Sequence, residues 1–437
     1  MYRVNEKDIK ATVNDFMVFC EFIDKNKPVL SKRREVLGKS DLFKINSLLY
    51  YKKEITAPNY QQESYPVIDL IFNLALLGKL YKKAADSKGN VYLNRTERKD
   101  EFDSLNEYEK YVFLLETFWT RYDIEEIMRL GLDYNPIGQV VQTFAAADPG
   151  EELEKRAFSN RAGHDSIFSY LSDLIRYFNF FGLCRYVPIK EGDEKITKYD
   201  DSIKTVIPTE LGVNICKVLK DQSIEDWNIP WLKIVLMEDE KEIIPGIPNQ
   251  SKLGFVEIFA GKSEKLKAKK LYKERKKAGF IPLYKFLEPI FPEGVLNKTV
   301  MAEINEDISG TFIFKVSLGR NVWRKIALSY KHTLEDLHIA IQEAFDFGND
   351  HLYSFFMDAK RYSKHAYHSP MCDDGPFTDE VTIGELELYE GQKILYLFDY
   401  GDSWEFDVQL LKINKNEVPP KNPQIIEIKG EAPSQYG

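Results

Sequence analysis

The side chains best able to bind a metal ion or move a proton are concentrated near the C-terminal end of the chain, where five of its six histidines fall within 37 residues. His365, His368 and Cys372 follow one another at the spacing His-x2-His-x3-Cys, and two aspartates come next. These ligand types suit zinc or another transition metal. The competing interpretation is a loop with a turn before Pro376, because no second ligand pair at a fixed spacing accompanies the run. Metal binding here is therefore a hypothesis.

Carboxylates form a second group, in the run from Phe398 to Trp404. Asp399 and Asp402 flank Gly401, which is typical of a tight turn where aspartate accepts backbone N–H bonds and glycine supplies a positive φ. Alternatively, the two carboxylates hold a cation or a basic ligand together with Glu405. Both interpretations stay open.

Two more histidines lie in predicted regular elements. His338 falls on the apolar face of a predicted helix, where a hydrogen-bonded core histidine is the usual outcome. His351 begins a predicted strand and faces either the Asp399 turn or solvent. The alternative function left open is a metal-dependent enzyme that uses His351, His365, His368, Asp399 and Asp402. The sequence has no glycine-rich phosphate loop, nucleophile elbow or HExxH motif.

The elements that must position these residues form a predicted α+β domain beginning at Gly310. Thr333 caps its helix and places Asp336 at the N3 position, a capping-box-like start. The β-rich runs around this helix have the order ββαβββ and cover residues 311–317, 322–329, 352–357, 393–398 and 404–413. This order predicts one helix across an antiparallel or mixed sheet, in a β-grasp-like arrangement.

The motifs of this domain run in a distinctive order, which is Trp323–Ile326, Thr333–His338, Ala340–Phe345, His351–Phe355 and Phe398–Trp404. Their order and spacing resemble the plasmid pRiA4b ORF-3-like family over roughly Gly310 to Asn414. The resemblance implies that the following residues belong to shared family motifs: Trp323, Arg324, His338, His351, Asp399, Gly401, Asp402 and Trp404. It also implies a prokaryotic protein linked to plasmids or other mobile elements. The family has no established activity, so the resemblance supplies no reaction.

The chain departs from the family pattern at two points. Phe406 stands where many members carry histidine, two residues after the tryptophan. The usual acidic and glycine-rich ending after the last proline is replaced by the run from Ala432 to Gly437.

The N-terminal half repeats one order of elements. A helix, a glycine, a strand, a charged hairpin, a second strand, a Thr-Glu pair and a helix occur between Pro66 and Phe118, and again between Ile167 and Leu219. This order resembles the winged-helix unit, in which the hairpin is the wing. The helices before the two hairpins carry one basic residue each, Lys79 and Arg176, so packing or protein binding is favoured over direct reading of DNA bases.

Charge is distributed unevenly along the chain. Lys262 to Lys277 carries a net charge of +7 in sixteen residues, whereas the whole chain carries −9. A solvated helix face is the usual interpretation of such a run, and contact with a phosphate backbone is the alternative. Residues 310–415 hold 11 Lys and Arg against 17 Asp and Glu. Because that domain is acidic, we expect its aromatic side chains to form core or a protein-binding face. The candidate nucleic-acid-binding lysines are Lys269, Lys270, Lys273, Lys276 and Lys277.

Length and composition bound the class of protein. The 437 residues predict about three domains, and 43% hydrophobic with 30% charged residues excludes collagen-like, disordered and disulfide-stapled chains. We predict winged-helix-like units at 1–130 and 131–221, a connector at 222–309 and the α+β domain at 310–437. Four scattered cysteines and a polar N-terminus favour a cytoplasmic protein without a membrane segment. The expected function is non-enzymatic, with a protein partner, possible nucleic-acid binding and no predicted cofactor.

Overall fold

The computed structural model describes residues 2–32, 34–86, 88–124, 135–154, 157, 172–189, 203–236, 243–250, 281–298, 309–363, 365–373, 375–415 and 417–436. The lysine-rich run and the predicted hairpin loop at 190–202 lie outside these residues. The chain forms two compact units. The first unit comprises Met1–Asn26, Lys39–Lys82 and Arg95–Met301, and the second comprises Lys27–Gly38, Lys83–Asn94 and Ala302–Gly437. The four sequence divisions stay predictions.

Amphipathic helices build most of the first unit. The helix α5 (Glu107–Arg121) begins at a capping box in which Asn106 Oδ1 accepts from Glu109 N, and Glu109 Oε2 accepts from Asn106 N, at 3.0 Å each. Its buried face includes Tyr111 and Trp119. The helices are α1 (Glu6–Asn26), α2 (Lys39–Leu48), α3 (Pro66–Leu77), α4 (Glu97–Asp103), α5 (Glu107–Arg121), α6 (Pro136–Ala146), α7 (Ser172–Phe180), α8 (Glu210–Leu219), α9 (Ile224–Trp227), α10 (Ile229–Leu236) and α11 (Leu283–Leu287). None of these described helices combines the length and apolarity needed to span a bilayer.

Short strands accompany these helices. β1 (Tyr81–Ala85) pairs with β2 (Val91–Arg95). A three-stranded sheet has the order β3 (Leu153–Glu154), β5 (Ile203–Pro208) and β4 (Cys184–Pro188). The sequence order helix, strand, strand, helix therefore occurs twice, as α3-β1-β2-α4 and as α7-β4-β5-α8.

In both copies of this order, the same type of turn ends the first helix. After α3, Lys79 adopts φ +55° and Leu80 N donates to Ala75 O at 3.0 Å. After α7, Gly182 adopts φ +72° and Leu183 N donates to Phe178 O at 2.8 Å. Lys79, and not Gly78, thus occupies the position of Gly182.

A threonine closes each of these turns. Thr96 N donates to Leu80 O at 3.1 Å, and its hydroxyl donates to Lys79 O at 2.7 Å. Thr209 N donates to Leu183 O at 3.0 Å, and its hydroxyl donates to Gly182 O at 2.6 Å. The repeated order predicted from a few shared residues is therefore accompanied by the same set of hydrogen bonds in both copies.

A large antiparallel sheet forms the second unit, and one helix, α12 (Leu334–Phe345), packs on it. The described strands are β6 (Thr311–Ser317), β7 (Trp323–Ser329), β8 (Tyr353–Phe356), β9 (Ala366–His368), β10 (Lys393–Phe398), β11 (Trp404–Asn414) and β12 (Gln424–Lys429), in the spatial order β12-β7-β6-β11-β10-β8-β9. The α+β class is confirmed. Two strands, β9 and β12, were not predicted, because β9 has three residues and β12 is exposed along its whole length.

The two faces of the sheet differ in composition because side chains alternate along each strand. The inner face, which includes Phe314, Tyr396 and Phe406, packs against α12. Phe406, one of the two departures noted from the resemblance, is fully buried. The opposite face, called the outer face below, carries Lys315 and Trp323, which lie one residue out of phase with the buried positions.

The start of α12 follows the prediction. Thr333 Oγ1 accepts from Asp336 N at 3.1 Å, and Asp336 Oδ2 accepts from Thr333 N at 2.9 Å. The reciprocal bonds satisfy two backbone donors at the helix N-terminus. The helix ends where Asp346 adopts a left-handed φ of +55°.

Two segments from the first hundred residues belong to the second unit. Ala85 N donates to Glu390 O at 3.2 Å. Glu35 accepts from the Tyr389 hydroxyl and pairs with Lys83 at 3.0 Å. These contacts lie beside the turn that begins β10.

Candidate functional site

Three strand ends bring the motif residues together at one end of the sheet. Phe398, the last residue of β10, pairs with Tyr353 on β8 and with Trp404 on β11. His351, just before β8, therefore lies beside Asp399, just after β10. His351 Nε2 is 3.4 Å from Asp399 Oδ2. We call the group formed by Asp350, His351, Asp399, Asp402 and Tyr436 the acidic end.

Asp399 serves the turn and faces the histidine at the same time. Its Oδ1 accepts from Gly401 N at 2.9 Å and from Asp402 N at 3.3 Å, while Oδ2 faces His351. Oδ1 therefore has the role that the turn interpretation predicts, and the cation or basic-ligand interpretation stays a prediction.

The expected positive φ at Gly401 was wrong. The left-handed residues are Asp399, at φ +54°, and Ser403, at φ +57°. Aspartate tolerates this conformation because its short side chain bonds to nearby backbone, here at Gly401 N. Gly401 instead lies close to Asp399, since a Cβ there would be 3.2 Å from Oδ1.

The C-terminal tail completes the acidic end. The Tyr436 hydroxyl donates to Asp350 and lies 3.4 Å from His351 Nε2. Gln435 ties the tail down, because its Nε2 donates to Asp350 Oδ1 at 3.2 Å and its Oε1 accepts from Gly348 N at 2.5 Å. The hydrogen bond to Asp350 and the surrounding carboxylates raise the pKa of Tyr436 to about 12. The same bond lowers the pKa of Asp350.

The electrostatics of this end favour a cationic ligand. Asp350 Oδ1 lies 3.7 Å from the same His351 Nε2 that Asp399 approaches. Gln435 and Tyr436 donate to the two oxygens of Asp350, while Asp399 Oδ2 faces the imidazole, so two carboxylates meet one ring nitrogen. The His351 side chain is 38% exposed, so the group is open to solvent.

His338 lies inside the domain and has a structural role. It is 1% exposed, and its ring stacks on Tyr353 with centroids 3.6 Å apart. Gln342 Nε2 donates to the Tyr396 hydroxyl, Tyr396 donates to His338 Nδ1, and His338 Nε2 donates to Asn349 Oδ1, at 2.7 Å each. Burial lowers the pKa of His338 to about 4. The expectation of a hydrogen-bonded core histidine is confirmed.

The proposed metal ligands lie at the far edge of the sheet. His368 is in β9, and its Nδ1 lies 2.7 Å from Ser354 Oγ, which lies 2.6 Å from the Tyr400 hydroxyl. Cys372 Sγ is 3.9 Å from the same hydroxyl. His365 precedes β9 and is exposed.

The serine at this edge is closed to a substrate, and the described residues form no metal cluster. Ser354 is 1% exposed, so its hydroxyl is closed to a substrate despite the contact with His368. Across the described ranges, no three His, Cys, Asp or Glu side chains meet in a way that could hold a metal ion. Asp374 lies outside those ranges. Metal binding stays a prediction.

Arg324 holds the ends of two elements together. It is 4% exposed, and its guanidinium donates to Ala344 O at 2.7 Å and to Lys429 O at 3.0 Å. It also lies over the Phe345 ring, 4.5 Å from its centroid. Arg324 therefore fixes the end of α12 against β12. Trp404 packs on Phe347 with ring centroids 5.0 Å apart.

Several participants carried no signal that sequence reasoning could use. Asp350 and Tyr436 stand 86 positions apart and meet only because the tail returns to the start of β8. Ser354 and Tyr400 meet because β8 and β10 are neighbours. The resemblance covered roughly Gly310 to Asn414, and the tail was noted only as a departure from the family pattern.

Residues 311–435 match the family model of the plasmid pRiA4b ORF-3-like proteins. The chain carries a pRiA4b ORF-3-like domain. This match confirms the resemblance and extends it through β12 into the tail. The crystal structure of a protein of unknown function from Methanosarcina mazei Go1 is 25% identical, covers 29% of this chain and 74% of that chain, and has a TM-score of 0.25. No curated protein matches the chain.

Proposed function

We propose that this protein is a non-enzymatic interaction protein, and that the acidic end of its pRiA4b ORF-3-like domain binds an arginine-bearing segment of a partner protein. The observation that supports this proposal is the pair of carboxylates, from Asp350 and Asp399, that share one exposed imidazole nitrogen. A guanidinium presents five donors in a planar fork, so it can donate to Asp399 Oδ2 beside the imidazole and to the neighbouring Asp350 carboxylate at the same time.

The domain charge favours the same partner. Residues 310–415 carry a net charge of −6, which includes the exposed carboxylate of Asp402 beside the turn. Complementary charge speeds association with a basic segment and discriminates against acidic partners. A cytoplasmic location is part of the proposal, since the four cysteines are free thiols.

A peptide pair tests this function in the full-length protein. We expect a labelled arginine-rich peptide to bind at low salt, and the same peptide with citrulline in place of arginine to bind much more weakly. Asp399→Asn and Asp350→Asn should each weaken binding of the arginine peptide. Fluorescence anisotropy measures the binding.

Glu380→Gln is the matched control, because Glu380 is exposed but lies near the start of α12. It should bind as the wild type does. The proposal is overturned if both aspartate variants bind the arginine peptide as tightly as the control, or if the citrulline peptide binds equally well.

We propose nucleic-acid association as a second function, linked to plasmids or other mobile elements. Two features support it: the +7 charge of Lys262 to Lys277, and the hydrogen-bonded turn that the two helix–hairpin–helix units share. We infer that the two helix–hairpin–helix units are winged helices. We also infer that the pRiA4b ORF-3-like domain is a β-grasp variant.

Salt dependence tests the second function. Duplex DNA binding should fall steeply as salt rises, because neutralised phosphates release counterions. Charge reversal at Lys269, Lys270, Lys276 and Lys277 should abolish it. Unchanged binding by this variant would contradict the assignment.

A further inference from the structure

The outer face of the sheet carries a tryptophan surrounded by lysines. The strand register places Lys315 opposite Lys325, and Trp323 opposite Lys429. The three ammonium nitrogens lie 5.0, 5.6 and 6.0 Å from the centroid of the Trp323 ring. We call these four residues, on β6, β7 and β12, the Trp323 platform.

The platform concentrates positive charge. Each ammonium lies within about 6 Å of the ring centroid, below the Debye length of about 8 Å at physiological salt, so a group bound at the ring lies within reach of all three charges. Among the described residues, Glu427 is the carboxylate that pairs with this group, at 2.7 Å from Lys325. Three ammonium groups and one carboxylate leave an excess of positive charge that a bound anion can neutralise.

The same face extends the basic surface beyond the platform. Lys393 pairs with Gln409, which in turn pairs with Lys315, so the two lysines lie in one row across the sheet. Lys412 lies opposite Ile313. Asp407 is the nearest acidic residue across the sheet, opposite Ser317. Glu405 on this face is paired with Arg361 at 3.1 Å. The net charge of −6 over residues 310–415 therefore conceals a basic outer face.

An aromatic ring among lysines on an open sheet has the two elements of single-strand recognition. Bases stack on an aromatic side chain, while ammonium groups bind the phosphates on either side. A duplex hides its base faces, so it cannot use the ring. The lysine stems are flexible, which lets their ammoniums move from the ring to a phosphate while the indole receives a base.

We propose that the Trp323 platform binds single-stranded nucleic acid, with one base on the indole and neighbouring phosphates on Lys315, Lys325 and Lys429. This site is distinct from the acidic end and does not rest on the functions proposed above.

Anisotropy with the full-length protein and a labelled oligodeoxythymidylate of about 20 nucleotides tests the platform. Trp323→Ala should weaken binding by about 5- to 150-fold, the range measured for loss of one base stack. Trp323→Phe should restore most of the affinity, which separates loss of stacking from loss of folding. A duplex of the same length should be insensitive to Trp323→Ala.

The lysines give an independent readout. Lys315→Gln or Lys429→Gln should each reduce the slope of log affinity against log salt by about 0.7, the value for one phosphate contact on a single strand. Lys331→Gln, at an exposed lysine in the turn after β7, should leave the slope unchanged. Equal single-strand binding by Trp323→Ala and the wild type would overturn the proposal, as would loss of binding only in the variant reversed at Lys269, Lys270, Lys276 and Lys277.

Discussion

At the scale of single residues, the histidines of the second unit do different work according to what surrounds them. His338 is buried in a chain of neutral hydrogen bonds, while His351 is exposed between two carboxylates. Residue type alone predicts the same chemistry for both. Burial and partners decide which one is a structural group and which one faces a ligand.

The pKa of His338 leads to a pH prediction. The folded value, about 4, is below the ordinary 6.5, so the unfolded chain binds more protons between these pH values. The contribution of His338 to the free energy of unfolding is fully present above pH 6.5 and is lost as the pH falls toward 4. We expect a loss of about 3 kcal/mol from His338 over this window, measured as the free energy of unfolding at each pH.

Two variants identify the titrating group. His338→Gln should flatten the pH dependence between 4 and 6.5, because glutamine stays neutral. His365→Gln should keep the wild-type dependence, since His365 is exposed. A wild-type slope in His338→Gln would show that another group is responsible.

Much of the residue-scale site could be predicted, because the motifs around His351 and Asp399 are local in sequence. Their contact could not, since it depends on β8 lying next to β10. Gly401 shows a further limit: glycine marked the turn correctly, but the left-handed conformation belongs to Asp399, which stabilises it through its own carboxylate.

At the scale of elements, the turn that ends α7 also positions α8. Leu183 O accepts from Thr209 N, and the first turn of α8 lies directly against the Leu183 backbone. A Cβ built at Gly212 would overlap that carbonyl. Gly212 is therefore required by close packing, and its φ plays no part.

Substitution at this contact should be costly. Gly212→Ala should destabilise the first unit by about 3 kcal/mol, because helix and turn must separate to admit the methyl group. Lys217→Ala on the exposed side of the same helix should change stability by no more than about 0.5 kcal/mol. Thermal unfolding compares them. Equal midpoints would show that the turn yields at little cost.

Elements with strong local signals were predictable from sequence. The Thr333 cap and the apolar face fixed α12 closely. β12 escaped prediction because every one of its residues is exposed and no alternation marks a buried face. The Trp323 platform was missed for a related reason: it exists only when β12, β7 and β6 are aligned in register.

At the scale of the whole molecule, metal content separates the proposed functions from the enzyme alternative. We expect the purified protein to retain no stoichiometric zinc after dialysis, and its unfolding midpoint to be unaffected by a chelator. Elemental analysis and thermal unfolding measure both. Stoichiometric zinc that is lost in His368→Ala and Cys372→Ser would instead support the metal site.

The net charge of the whole chain does not show how its charged side chains are distributed over the surface. A net charge of −9 argues against a generally basic coat protein, yet acidic and basic side chains cluster on different parts of one domain. Counting charges along the sequence cannot separate them, because neighbouring residues of a strand point to opposite faces.

The assignment of Lys27–Gly38 and Lys83–Asn94 to the second unit has a consequence for how this chain can be divided. A fragment that starts at residue 302 would leave Glu390 O without Ala85 N, and Tyr389 without Glu35. The structural unit is thus assembled from three stretches of one gene, and no single cut releases it whole. Transfer of the family domain alone to another protein would leave part of its supporting surface behind.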